Sequence, residues 1–215
     1  MCGRFTVKAT WAELVALYRL TMEAPPHNLR PRYNVCPTDP VDVVTAAEGK
    51  RELVTMRWGL VPWWWSKPLK ELRMATFNAR AETVETKPVF RDAFNRKRCL
   101  VLMSGYYEWK DTSSGKQPWY FTAADGSPFL TAAGLWDEWK NRETGERLKS
   151  CTMIITEPNE IGCGNPRSHA GVLDAAFGTG FRYSAPASPL RAIDPLRHWP
   201  ALQIIGSMMK CGPKW

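Results

Sequence analysis

No stretch of this 215-residue chain approaches the ~20 consecutive apolar residues that cross a bilayer, and no hydrophobic segment follows Met1-Cys2-Gly3-Arg4. Neither a membrane span nor a secretory leader is expected, and the protein reads as cytoplasmic. The six cysteines (Cys2, Cys36, Cys99, Cys151, Cys163, Cys211) contain no C-x-x-C pair, and only three histidines accompany them. That scarcity argues against a zinc site, and a reducing compartment argues against disulfides. Charge is what the last quarter lacks. Residues 161–215 hold 8 charged side chains and 7 glycines, whereas residues 1–160 hold 42 and 8. The expected organisation is therefore a domain over 1–160 followed by a divergent tail over 161–215.

What the chain does have is a soluble composition, 23% charged and 44% hydrophobic, with the opposite of an acidic balance. Lys and Arg number 29 against 21 Asp and Glu, for a formal charge of +8 and a pI near 9.3. Such a surface suits an anionic partner. Eleven tryptophans are unusual, and in a basic protein their rings serve either a core or a platform on which unpaired bases stack.

Short apolar runs separated by turn signals predict a sheet-rich fold with few helices. One helix is marked by the capping-box spacing of Thr10 and Glu13, followed by Trp11, Leu14, Val15 and Tyr18 as an apolar stripe. A second is expected from Pro88 through Phe94, with proline in its first turn. A proline-rich loop is expected over 24–40. Strands are expected at 41–45, 53–58, 99–103, 106–110, 119–122, 129–135 and 152–156. Turns at Glu48-Gly49, Ser113-Ser114-Gly115, Asp125-Gly126 and Thr144-Gly145 divide them at hairpin distances. The pattern predicts an α+β, mainly antiparallel, barrel-like domain with short flanking helices.

Several residues could carry chemistry. If Met1 is removed, as it generally is before a small residue, the chain begins with Cys2, an α-amine beside a thiol. The amine, with a pKa of ~7.7–8.0, is partly unprotonated at neutral pH and can attack an aldehyde. The neighbouring thiol can then close the imine to a five-membered thiazolidine. The plainer reading makes Cys2 a small residue of an N-terminal strand. In Gly105-Tyr106-Tyr107-Glu108-Trp109 a carboxylate flanked by rings is partly desolvated and suits proton transfer, and Asn78 in Phe77-Asn78-Ala79-Arg80 could donate to a sugar or phosphate oxygen. Judged by residue type alone, a solvent-facing Glu108 and a turn-forming Asn78 are favoured. Pro62-Trp63-Trp64-Trp65-Ser66-Lys67 combines rings with a cation, and scattered arginines could follow a phosphate track.

Taken together, Met1-Cys2-Gly3-Arg4-Phe5, Arg32-Tyr33-Asn34-Val35, Trp58-Gly59-Leu60-Val61-Pro62, Phe77-Asn78-Ala79-Arg80-Ala81-Glu82-Thr83 and Ser104-Gly105-Tyr106-Tyr107-Glu108-Trp109-Lys110 resemble, in order and spacing, the SRAP family of SOS-response-associated, abasic-site-processing proteins. The resemblance covers residues 2–159. It implies a monomeric protein of the DNA damage response that grips single-stranded DNA and joins covalently to the ring-opened aldehyde of an abasic site. Cys2 is then the nucleophile, Asn78 holds the terminal amine and sugar, and Glu108 assists proton transfer. Arg4, Asn34, Trp64, Trp65 and Arg80 match positions along the family's DNA groove. The family also carries an older peptidase label, and no metal or organic cofactor is implied.

The resemblance stops where the tail begins. The family continues to a His-Asp-Arg-x-Pro motif soon after the segment matched here by Thr156-Glu157-Pro158-Asn159. This chain shows only His169 in an unrelated setting. Codons for 160–172, read one nucleotide later, can spell Arg-Ser-Ala-Ala-Glu-Ile-His-Asp-Arg-Met-Pro-Val, so a frameshift near residue 160 is expected. The family's histidine role is not carried over to His169 or His198. Two other readings stay open: an N-terminal-nucleophile amidohydrolase, and a non-enzymatic single-stranded DNA binder that keeps the groove without the chemistry.

Overall fold

The computed structural model describes residues 3–123, 127–156, 169–170, 172–173 and 209–213. Its barrel is built from β3 (Pro40–Ala47), β4 (Lys50–Trp58), β6 (Arg98–Met103), β9 (Leu130–Lys140) and β10 (Arg147–Thr156). These close on one another in the order β3-β4-β10-β9-β6 and back to β3. All pairs are antiparallel except one: β10 runs parallel to β4 through Ser150↔Arg57 and Cys151↔Trp58. The short β5 (Asn78–Arg80) also lies parallel to β10.

Against this barrel packs a second, antiparallel sheet. It contains β1 (Arg4–Val7), β2 (Arg32–Val35), β7 (Gly105–Thr112), β8 (Gly115–Ala123) and β13 (Met209–Pro213), ordered β13-β8-β7-β1-β2. One core cluster joins the two, with Phe5, Val35, Tyr106 and Phe121 meeting Val43, Trp58, Val101 and Met153. The architecture is therefore α+β and mainly antiparallel, with each expected strand present and longer overall, although β9 begins at Leu130 rather than Phe129. From the tail, β11 (His169–Ala170) pairs with β10, β12 (Val172–Leu173) with β9, and β13 with β8. The side chain of His169 and all of His198 lie outside the described residues, as does the Asp125-Gly126 turn.

The local sequence explains the connections. Thr10 caps helix α1 (Trp11–Tyr18): its Oγ1 accepts from the Glu13 N–H at 3.3 Å, and Glu13 Oε2 accepts from the Thr10 N–H at 2.9 Å. Leu14 and Tyr18 of the predicted stripe are buried beside Leu53, Leu100 and Leu102. Thr10→Ala removes the cap and is expected to cost about 1 kcal/mol, lowering the unfolding midpoint by roughly 2–4 °C in a thermal melt. Helix α2 (Pro88–Arg96) starts on its proline and buries Phe90 and Ala93 against Leu60, Ala79 and Leu135. At the β3–β4 turn Glu48 and Gly49 both take positive φ, 52° and 80°, which matches the twist of a two-residue hairpin. The proline-rich stretch departs from expectation, because it contains β2. That strand pairs with β1 only at Phe5↔Val35 and Val7↔Arg32, across an irregularity.

No helix among the described residues is long and apolar enough to cross a membrane.

Candidate functional site

Strand β1 is four residues long, yet it is held on both sides. It pairs with β7 through Arg4↔Tyr107, Phe5↔Tyr106 and Thr6↔Gly105, and with β2 on the other side. Alternation along the strand sends Phe5 into the core and Arg4 outward. There Arg4 Nη1 donates to Asn34 Oδ1 at 3.1 Å, and the guanidinium lies 5.8 Å from the centre of the Trp109 ring. Two of the residues predicted to line a DNA groove are thus brought into contact. The close fit of this sheet depends on Gly105, where a Cβ would come within 2.6 Å of the Phe121 carbonyl oxygen.

Continuing the β1–β7 register by one residue sets Gly3 beside Glu108. Cys2, the next residue, lies outside the described residues. Glu108 itself is not solvent-facing: it is 3% exposed. The reason is the period of two. Tyr106, on the same face of β7, is committed to the core, where its ring stacks on Phe121 at 5.1 Å and 12°. The carboxyl group is carried inward with it, opposite Trp119 of β8.

Asn78 is a strand residue rather than a turn former. It pairs with Met153 of β10, and on β5 it shares a face with the exposed Arg80 while Ala79 turns into the core. Trp58 connects this strand to β1. Its indole N–H donates to the Phe77 carbonyl at 2.8 Å, and its ring meets Phe77 edge-on at 5.7 Å and Phe5 at 4.9 Å. Trp58 is a positioning residue that residue-type reasoning does not find, although it heads the Trp58-Gly59-Leu60-Val61-Pro62 motif. Trp58→Ala is expected to cost about 3–5 kcal/mol in urea unfolding, with Trp58→Phe milder because an apolar ring remains. The Phe77 carbonyl would keep its second donor, the Met153 N–H at 3.0 Å.

Trp64 and Trp65 stand on a different element, the loop after β4, and that loop is anchored to β9. Asp137 Oδ2 accepts from the Trp63 N–H at 2.8 Å, and the Trp139 indole donates to the Trp65 carbonyl at 2.6 Å. Both anchors lie on one face of β9. Asp137 is 2% exposed, and Lys97 Nζ at 2.7 Å supplies its counter-charge. Trp64 keeps a third of its surface in solvent and Trp65 is half-buried.

Two of the described cysteines are poor nucleophiles, since the thiolate is the reactive form. Burial pushes the Cys151 thiol up to about 12 and the Cys99 thiol well above its ordinary value. Both belong to the barrel core. Among the described residues no group of three His, Cys, Asp or Glu could hold a metal ion.

A family model described as SOS response associated peptidase (SRAP) matches residues 1–162, three quarters of the chain. The chain belongs to the SRAP family. Its SRAP domain spans β1 to β10 and ends shortly after the last barrel strand. The abasic site processing protein YoaM of Bacillus subtilis is 32% identical over 161 residues, covering 75% of this chain and 70% of the relative. The abasic site processing protein YedK of Escherichia coli is 34% identical over 136 residues, 62% of this chain and 59% of its own. Among solved structures, a protein from Bacteroides thetaiotaomicron superposes with a TM-score of 0.71 at 27% identity, over 80% of this chain and 77% of that one. One from Bordetella bronchiseptica reaches 0.74 at 22% identity over the whole of both chains, a likeness of fold alone.

Proposed function

We propose that this SRAP protein processes abasic sites in DNA, and that it does so by joining its Cys2 covalently to the abasic sugar. The observation that carries this reading is the buried carboxyl group of Glu108, which stands beside Gly3, the residue next to Cys2 in the chain, when the β1–β7 register is continued by one residue. In the reaction the free α-amine of Cys2 adds to the C1′ aldehyde of the ring-opened sugar, and loss of water gives an imine. The thiol then adds across the C=N bond: sulfur bonds to carbon, nitrogen takes the proton, and a thiazolidine closes with one water released overall. Closure is intramolecular, so it proceeds at a very high effective concentration of thiol, on the order of 10⁵ M or more.

The other residues divide the work. Glu108 relays the protons that carbinolamine dehydration needs. Asn78 orients the terminal amine and the sugar. Arg4, Asn34 and Arg80, with the rings of Trp64 and Trp65, hold a single strand by its phosphates and bases. The Arg4–Asn34 contact supports this, because it fixes the guanidinium on the outer face of β1. In this reading the protein is a cytoplasmic monomer that answers DNA damage without metal or organic cofactor, and residues 161–215 are a divergent, frameshifted tail.

The test is a denaturing gel. Purified protein lacking Met1 is incubated with a single-stranded oligonucleotide carrying one abasic site. A slower band that survives heating in detergent, and that an intact oligonucleotide does not produce, is the expected result. Binding of both oligonucleotides with equal affinity and no adduct would instead favour the non-enzymatic binder.

A further inference from the structure

Trp63, beside the two tryptophans already assigned, has no role in the scheme above. It is the more unusual residue of the three. The residue is 57% exposed, yet both of its N–H donors are occupied by protein. The backbone N–H donates to buried Asp137 at 2.8 Å, and the indole N–H donates to Asp92 Oδ2 on α2 at 3.1 Å. The other Asp92 oxygen faces Arg91 Nε at 3.6 Å, which offsets its charge. An indole held through its N–H on an anchored stretch of backbone, with its apolar area left in water, has already lost part of the freedom that binding would otherwise cost. Arg91 is exposed beside it on α2, ion-paired to Asp92 through Nε.

We propose that Trp63 is a third base-stacking platform, and that Arg91 meets the phosphate next to the base seated there. This rests on the reading of the chain as a binder of single-stranded DNA. It adds to that reading a direction: the strand leaves the Trp64–Trp65 positions across the loop toward α2. The occupant is an unpaired nucleotide, because a flat π face with an adjacent cation on a basic protein complements a base and its phosphate. Trp63 acts in binding and leaves the covalent step alone.

The test measures affinity for an abasic single-stranded oligonucleotide of about 12 nucleotides, long enough to span a groove of this class. Trp63→Ala is expected to weaken binding about tenfold, within the range seen when one stacking ring is removed. Trp63→Phe is expected to retain most of the affinity, since it keeps a ring and gives up only the Asp92 contact. Arg91→Gln is expected to flatten the dependence of log K on log salt by roughly 0.7, the value for one phosphate contact on a single strand. Adduct yield at saturating DNA is expected to stay unchanged in all three.

Wild-type affinity in Trp63→Ala would overturn the inference while leaving the proposed function standing. Equal losses in Trp63→Ala and Trp63→Phe would also overturn it, by assigning the effect to the indole N–H rather than to stacking. A folded wild-type protein that binds no oligonucleotide would overturn both. Should Trp63→Ala fail to fold, Trp63→Leu replaces it, with a similar apolar bulk and no flat face.

Discussion

Replacing Cys2 by Ala or Ser is expected to reduce the heat-stable DNA adduct to background while leaving affinity for the oligonucleotide unchanged. The two functional groups of Cys2 make separate contributions, and the variants separate them. The α-amine survives both substitutions, so an imine still forms with the abasic aldehyde. Without a thiol the imine stays in equilibrium with water and hydrolyses when the protein is denatured. Adding borohydride during incubation delivers hydride to the C=N carbon, converts the imine to a secondary amine, and is expected to restore a stable band in both variants. Protein that keeps Met1 has no 1,2-aminothiol and is expected to give no heat-stable band without reductant. A heat-stable adduct of Cys2→Ala formed without reductant would overturn the thiazolidine mechanism, and loss of the reduced band would show that Cys2 is needed for folding or binding. Cys99 and Cys151 are no substitutes, because burial keeps both as thiols.

How much of this was legible in the sequence depends on the distance over which each feature is encoded. The α1 cap, the proline at the start of α2 and the Glu48-Gly49 hairpin are local: each is set by residues within a few positions of one another, and each appears where expected. β2 and β5 are not. They are four and three residues long, too short to establish a period, and β2 exposes Tyr33 and Asn34 in succession so that no alternation is visible. Their existence depends on partners far away, β1 for one and β10 for the other. The parallel pairings of β10 are likewise beyond any local signal, and they are what close the barrel and place Asn78. The motifs around Arg4, Asn34, Asn78 and Glu108 could be picked out as a set, but not their environment. Aromatic neighbours in sequence suggested partial burial of Glu108, whereas its residue type suggested solvent, and the deciding fact is that Tyr106 fixes which face of β7 turns inward. The anchoring of the tryptophan loop by Asp137 and Trp139 had no signal at all, since those residues are more than seventy positions downstream.

Glu108→Gln is expected to slow adduct formation by roughly 10²-fold or more, the scale of a lost proton-transfer group, with oligonucleotide affinity unchanged. The substitution keeps the size and shape of the side chain, exchanges one oxygen for an NH2 donor, and removes its ability to exchange a proton. Because the group is 3% exposed, bulk water has poor access to replace it, so the loss should not be rescued by ordinary buffer. The defect is expected before the imine: addition of the amine gives a carbinolamine whose hydroxyl must leave as water, and a neutral amide cannot protonate it. Borohydride therefore separates this variant from Cys2→Ala. Trapping restores the band of Cys2→Ala at a normal rate, whereas in Glu108→Gln the trapped band should rise as slowly as the untrapped one. Glu108→Asp, which keeps a carboxyl group on a shorter side chain, offers an independent check and is expected to retain part of the rate. Stability should be little changed, because the amide keeps the size and shape of the carboxyl group. A Glu108→Gln protein that crosslinks at the wild-type rate would reduce Glu108 to a buried polar residue of β7 and leave the proton transfers to water and to the Cys2 amine itself.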